Sequence, residues 1–171
     1  MIHGTPQSRP CAFPYERKPV ALNLADALCS ITTKATATDW RAAIRLSGDG
    51  LVAGGATTND YTDQMISAVE EHGPYIVIAP GIALAHGRPS EAVLHGGLSW
   101  VSLETPVEFG HPKNDPVALV IGLAAVDHTT HIGVLKAMAG VLSNKDVRAR
   151  LEAAASGEEV RSLLTEAAAV S

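Results

Sequence analysis

The chain has 171 residues, the size of one compact α/β domain that can bury its own core. It is 46% hydrophobic and 18% charged, a balance that argues against disorder throughout. The formal net charge of -5 provides no general basic field, so nucleic acid and anionic lipid are poor candidate partners. No apolar run approaches the roughly 20 residues that a membrane-spanning helix needs. We therefore expect a soluble protein.

The first twenty residues differ from the rest of the chain. Residues 1–20 contain several prolines and little periodicity, which predicts an irregular N-terminal extension ahead of one domain at residues 21–171. This segment lacks the apolar core of a secretory signal, so we expect a cytoplasmic protein. Cys11 and Cys29 do not have the C-x-x-C spacing of a zinc ribbon.

The predicted elements begin with a strand at residues 28–33 and two helices. Apolar residues at helical spacing predict the helices at residues 40–53 and from about residue 59 to residue 72. Thr38-Asp39 can cap the first helix, and Thr58 or Asn59 can cap the second. Short apolar runs separated by Gly, Pro, Asn and Asp then predict strands at residues 75–79, 82–85, 98–103, 107–109 and 117–125.

The helical period returns after Asp127 and runs to about residue 142. A shorter helix is predicted at residues 145–155, and a capping box formed by Ser156 and Glu159 predicts a final one. Helices on both sides of the strands indicate a single-domain α/β sandwich with a central mixed β-sheet.

The most informative segment is residues 73–89, in which two short apolar strands end at His86. Gly87 allows the backbone to turn, and Arg88 supplies a positive charge two residues from His86. An imidazole is neutral and nucleophilic near pH 7, and a guanidinium could counter the charge of a phosphoryl group. A lone histidine is weak evidence, however, and a strand-end histidine bonded to a carbonyl group is the more common case.

A second cluster, residues 127–132, lies where the last predicted strand gives way to a helix. Phosphate groups often bind at such junctions, and His128 and His131 lie on one helical face at a separation of three residues. The alternative is a cap formed by Asp127 with solvated histidines. No third ligand stands at a usual zinc spacing, and no P-loop or G-x-G-x-x-G motif is present, which disfavours a metal, ATP and NAD.

Together these segments resemble a known family. Residues 73–89, read as Gly-Pro-Tyr-Ile-Val-Ile-Ala-Pro-Gly-Ile-Ala-Leu-x-His-x-Arg-Pro, are similar to the signature of enzyme IIA of the bacterial sugar phosphotransferase system (PTS), of the mannitol, fructose and ascorbate type. The segments Asn114-Asp-Pro-Val117, Leu-Ala-Ala125 and Thr130-His-Ile132 match the same pattern in the same order. The resemblance covers about residues 38–165. Its Gly-Pro-Tyr and His-x-Arg-Pro motifs are most similar to those of the ascorbate branch.

The resemblance implies the mannitol/fructose-type enzyme IIA sandwich and a phosphotransferase activity. His86 would be the phosphorylated residue and His131 the second imidazole of the active site. The phosphoryl donor would be HPr, the acceptor a cysteine of enzyme IIB, and the membrane component enzyme IIC would be served indirectly. Ala85 stands where the family usually has proline, which predicts a looser loop before His86.

As a mechanism, we expect neutral His86 to attack the phosphoryl group in line. His131, Arg88, and Thr129 or Thr130 would hold the phosphoryl oxygens, and no metal or nucleotide cofactor is required. The alternatives are a regulatory enzyme IIA, a metal-dependent hydrolase built on His86, His128 and His131, and an interaction domain without activity. The sequence does not identify the sugar, and it leaves a homodimer open.

Overall fold

The structure, a computed structural model, describes residues 24–170. The predicted extension at residues 1–20 lies outside the described residues, as do residues 21–23 and 171. The strands are β1 (Leu28–Ala35), β2 (Val77–Ala79), β3 (Ile82–His86), β4 (Gly97–Val107) and β5 (Val117–Ala124). The helices are α1 (Leu24–Ala27), α2 (Trp40–Ala53), α3 (Asn59–His72), α4 (His128–Leu142), α5 (Lys145–Ala153) and α6 (Gly157–Val170). None of these helices is both long and apolar enough to cross a bilayer.

The five strands form one mixed sheet in the order β1-β4-β5-β3-β2. β1 is parallel to β4 and β3 is parallel to β5, whereas the β4–β5 and β2–β3 pairs are antiparallel. The register of the β3–β5 pair runs from Ile82 opposite Leu119 to His86 opposite Leu123. The prediction of a single mixed sheet is confirmed, and the ends of two parallel strands lie side by side.

Helices cover both faces of the sheet. Side chains alternate between the two faces along a strand. Ala83 and Ala85 therefore belong to the buried cluster that contains residues of α2 and α3. Ile82 and Leu84 belong to the cluster on the opposite face, which contains residues of α1, α4, α5 and α6. The predicted sandwich is confirmed. His86, two residues after Leu84, continues the row that faces α4.

Three local predictions were wrong or incomplete. Residues 98–103 and 107–109 were predicted as two strands, but β4 is continuous to Val107, with a register shift between Ser102 and Val107 that accommodates Pro106. The predicted loose loop at Ala85 is instead part of β3, where Ala85 is fully buried and paired with Gly122. The short helix α1 was not predicted.

Candidate active site

His86 lies at the C-terminal end of β3, an inner strand of the sheet. His86 is the last residue of the strand and is half-buried, whereas the four residues before it are fully buried. Because His86 lies on the α4 side of the sheet, its imidazole points toward the helix that follows β5.

A backbone hydrogen bond determines which nitrogen of His86 carries the proton. The Nδ1 atom lies 2.7 Å from the carbonyl oxygen of Leu84. Since a carbonyl oxygen can only accept, Nδ1 is the protonated nitrogen and Nε2 keeps a free lone pair. Burial lowers the pKa of His86, and the bond to Leu84 opposes this in part. The ring is therefore neutral near pH 7, with Nε2 available as a nucleophile.

The second imidazole comes from the first turn of α4. Asp127 caps this helix by accepting a hydrogen bond from the Thr130 N–H group at 2.7 Å, so the cap that the sequence offered as an alternative is present, although His131 is half-buried rather than solvated. The ring centroids of His131 and His86 are 5.0 Å apart, with an interplanar angle of 68°. Burial lowers the pKa of His131, and the neighbouring His86 and His128 lower it further. Two neutral rings can share this space without charge repulsion.

Tyr75 makes a further ring contact with His86. The ring centroids of Tyr75 and His86 are 5.4 Å apart at 88°, an edge-to-face arrangement. The Tyr75 hydroxyl also donates to the His86 carbonyl oxygen at 3.3 Å. Tyr75 is 42% exposed, so part of its ring faces solvent while it contacts the histidine.

These side chains line a cavity of about 730 Å³ between α3 and the start of α4. On the α3 side it is lined by Asp63, Gln64, Ser67, Ala68, Glu71 and His72. The remaining lining residues are Tyr75, His86, Gly87, Arg88, Pro89, His128 and His131. The cavity therefore combines imidazole rings, one guanidinium group and the polar face of a helix.

The structure brings most of the predicted site residues together. His86, His131 and Arg88 share the cavity, as does His128. Thr129 and Thr130 lie in the same first turn of α4 but do not line the cavity. The roles of all these residues in phosphoryl transfer stay predictions. Among the side chains that the structure describes, no group of three or more histidine, cysteine or acidic residues is arranged to hold a metal ion.

Sequence reasoning missed the contribution of α3. His72, Asp63, Gln64 and Ser67 line the cavity, but the sequence alone did not single out any of them as a site residue. Their helical spacing shows that they share a polar face, but nothing in the sequence indicates that this face lies beside His86.

Residues 28–167 match the family "Phosphoenolpyruvate-dependent sugar phosphotransferase system, EIIA 2". The chain belongs to this family. It is 39% identical over 137 residues to the ascorbate-specific PTS system EIIA component of Escherichia coli K12, an alignment that covers 79% of this chain and 88% of that protein. The predicted resemblance to enzyme IIA is confirmed.

Solved EIIA structures share the fold. The mannitol-specific cryptic enzyme IIA of Escherichia coli is 30% identical, with a TM-score of 0.76 over 85% of this chain and 99% of that protein. The mannitol enzyme IIA of Escherichia coli, solved in complex with phosphorylated enzyme IIB, is 29% identical, with a TM-score of 0.71 over 80% of this chain and 94% of that one. The mannitol-type EIIA fold is therefore confirmed for this chain.

Proposed function

We propose that this EIIA protein is a cytoplasmic phosphocarrier that accepts a phosphoryl group from HPr on Nε2 of His86 and passes it to a cysteine of enzyme IIB. The observation that carries the proposal is the 5.0 Å approach of the His86 and His131 rings, with Nδ1 of His86 bound to the Leu84 carbonyl group. The bond to Leu84 leaves Nε2 of His86 free to act as the nucleophile, and the His131 ring lies beside the phosphoryl group that His86 would receive.

The first transfer forms a bond between Nε2 of His86 and phosphorus and breaks the nitrogen–phosphorus bond of the donor. In phosphoryl transfer, most of the catalysis comes from positioning the reacting groups and neutralising the charge on the phosphoryl oxygens. The Nδ1 proton stays in its bond to Leu84, so no proton has to leave His86. We expect His131 to donate to a phosphoryl oxygen, a role supported by its position on the same cavity as the Arg88 guanidinium. Thr129 and Thr130 would have to turn toward the cavity to contribute.

The second transfer breaks the Nε2–phosphorus bond as a thiolate of enzyme IIB attacks the phosphorus. The imidazole leaves in its neutral form, because Nδ1 still carries its proton. Such a step needs a surface that a partner can cover so that water is excluded. Tyr75, which contacts His86, and Val126 and Ile132, which lie near the start of α4 close in sequence to His131, are exposed apolar side chains that suit this purpose.

Phosphoryl transfer from phosphoenolpyruvate through enzyme I and HPr tests the first transfer. We expect the wild-type protein to become labelled with labelled phosphoenolpyruvate and the His86→Ala variant to remain unlabelled. Labelling of a folded His86→Ala variant at the wild-type level would disprove the proposal.

The identity of the acceptor tests the second transfer. The 39% identity to the ascorbate-specific component supports an ascorbate-type enzyme IIB as the natural partner and an ascorbate-like sugar as the cargo. The phosphorylated protein should therefore lose its label faster to an ascorbate-specific enzyme IIB than to a mannitol-specific one. A protein that accepts phosphate but passes it to neither would instead fit a regulatory EIIA.

A further inference from the structure

Two tyrosine hydroxyls hold the peptide group that joins His86 to Gly87. The Tyr75 hydroxyl donates to the carbonyl oxygen of this group at 3.3 Å, and the Tyr61 hydroxyl accepts from its N–H at 2.9 Å. Tyr61 lies in the first turn of α3, whereas Tyr75 lies in the segment before β2. The plane of one peptide is therefore fixed from both sides by side chains of different elements.

The Tyr61 hydroxyl also occupies the end of the β3–β5 ladder. At the start of this ladder the Leu119 N–H donates to the Gly81 carbonyl oxygen. The alternation of a parallel ladder then aligns the Gly87 N–H with the Leu123 carbonyl oxygen at its end. Tyr61 accepts from the first of these groups and donates to the second, at 2.6 Å. The strands can thus separate behind His86 while both backbone groups remain hydrogen-bonded.

Burial makes this arrangement persistent. Tyr61 is 1% exposed, so water does not compete for its hydroxyl. Burial raises the pKa of Tyr61 to about 12, opposed in part by the bond to Gly87. The hydroxyl therefore keeps the proton that it donates to Leu123 throughout the physiological pH range.

We propose that Tyr61 is a positioning residue which, together with Tyr75, fixes the His86–Gly87 peptide and so directs Nε2 of His86 into the cavity. The imidazole direction depends on the backbone at His86 and on the 2.7 Å bond from Nδ1 to the Leu84 carbonyl oxygen. Rotation of the adjoining peptide would disturb both. This inference rests on the proposed phosphocarrier function, because it assigns the direction of Nε2 a purpose in transfer.

The Tyr61→Phe variant removes the hydroxyl and keeps the ring. Its matched control is Thr62→Val, which removes a buried hydroxyl from the next residue of the same helix, where Thr62 Oγ1 has no hydrogen-bond partner among the described residues. We expect the imidazole ¹⁵N spectrum of His86 to show one tautomer, protonated at Nδ1, in the wild type and in Thr62→Val. The spectrum of Tyr61→Phe should show a mixture of tautomers.

Phosphorylation by HPr provides the second readout. Small misplacement of a reacting group can cost up to about 100-fold in rate, so we expect Tyr61→Phe to slow labelling of His86 roughly 10- to 100-fold. Thr62→Val should label at the wild-type rate. A loss confined to kcat, with KM for HPr unchanged, would separate misdirection of His86 from a damaged docking surface.

If the wild-type protein accepts no phosphate, the proposed phosphocarrier function is wrong. The ¹⁵N spectrum of His86 still tests the positioning role of Tyr61 in that case. An unchanged His86 ¹⁵N spectrum in folded Tyr61→Phe would overturn the positioning role. If Tyr61→Phe does not fold, the exposed Tyr75→Phe decides, since it removes the other hydroxyl from the same peptide. A His86 spectrum identical to the wild type in Tyr75→Phe would then overturn the proposal.

Discussion

Replacement of His131 by alanine tests whether the second imidazole stabilises the transferred group. The ring lies 5.0 Å from that of His86, within reach of a phosphoryl group on Nε2. Removal of one preorganised hydrogen-bond donor of this kind costs roughly 100- to 1000-fold in rate. Because His131 is half-buried and water can partly replace it, we expect the lower limit, about 100-fold, equivalent to about 2.7 kcal/mol of transition-state stabilisation.

Rapid-quench measurement of His86 labelling by phosphorylated HPr provides the assay, with HPr varied so that kcat and KM separate. The loss should fall on kcat, since the group is needed in the transition state. His131→Gln retains an N–H donor and should recover part of the rate. Lys136→Ala, at an exposed position on the same helix, serves as the control and should match the wild type. A decrease of less than about 3-fold in His131→Ala would refute the assigned role.

Two further predictions concern pH and the opposite end of the sheet. Burial lowers the pKa of His86 below its ordinary value of 6.5, so the nucleophile stays neutral to a lower pH than an exposed histidine. Labelling rates should therefore rise with pH and reach half their maximum below pH 6.5, and a midpoint above 6.5 would contradict the assignment. Asp115 Oδ2 accepts hydrogen bonds from the N–H groups of Phe109, Gly110 and His111, so Asp115→Ala should destabilise the fold by about 2–3 kcal/mol in urea unfolding. Because Asp115 precedes β5, at the far end from His86, labelling per folded molecule should be unchanged in that variant, and slowed labelling would show that this loop reaches the site.

The helices and strands of the sandwich could be predicted from the sequence because their signals are local. Asp39 accepts the capping hydrogen bond predicted for it, Asp127 accepts the one that the sequence offered as an alternative, and Ser156 accepts from the Glu159 N–H group at the start of α6. The break predicted inside β4 arose from Pro106, which has no N–H for a ladder. Only the register shift between β4 and β5 shows how the strand continues past it.

The site was predicted less completely, because it depends on contacts between distant segments. Tyr61 is one of the residues at helical spacing that predict α3, and its ring packs in the core as that spacing requires. Its hydroxyl acts differently from its ring, and periodicity cannot distinguish the two. His72 likewise ends a helix as predicted, while its ring lies on the cavity wall. Hydrophobic periodicity classifies each residue as either buried or exposed. It therefore misses the second role of a side chain such as Tyr61, whose ring is buried in the core while its hydroxyl bonds to the backbone beside His86.

The pairing of β3 with β5 explains how two histidines 45 residues apart in the sequence can meet. Parallel strands end at the same edge of a sheet, and His86, the last residue of β3, lies opposite Leu123 near the end of β5. The chain continues from β5 into α4 within a few residues, so His131 in the first turn of that helix returns to the same edge. With antiparallel pairing, the end of β3 would instead lie beside the start of β5, next to Asp115. The direction of one strand therefore decides whether His86 has an imidazole or a carboxylate as its neighbour.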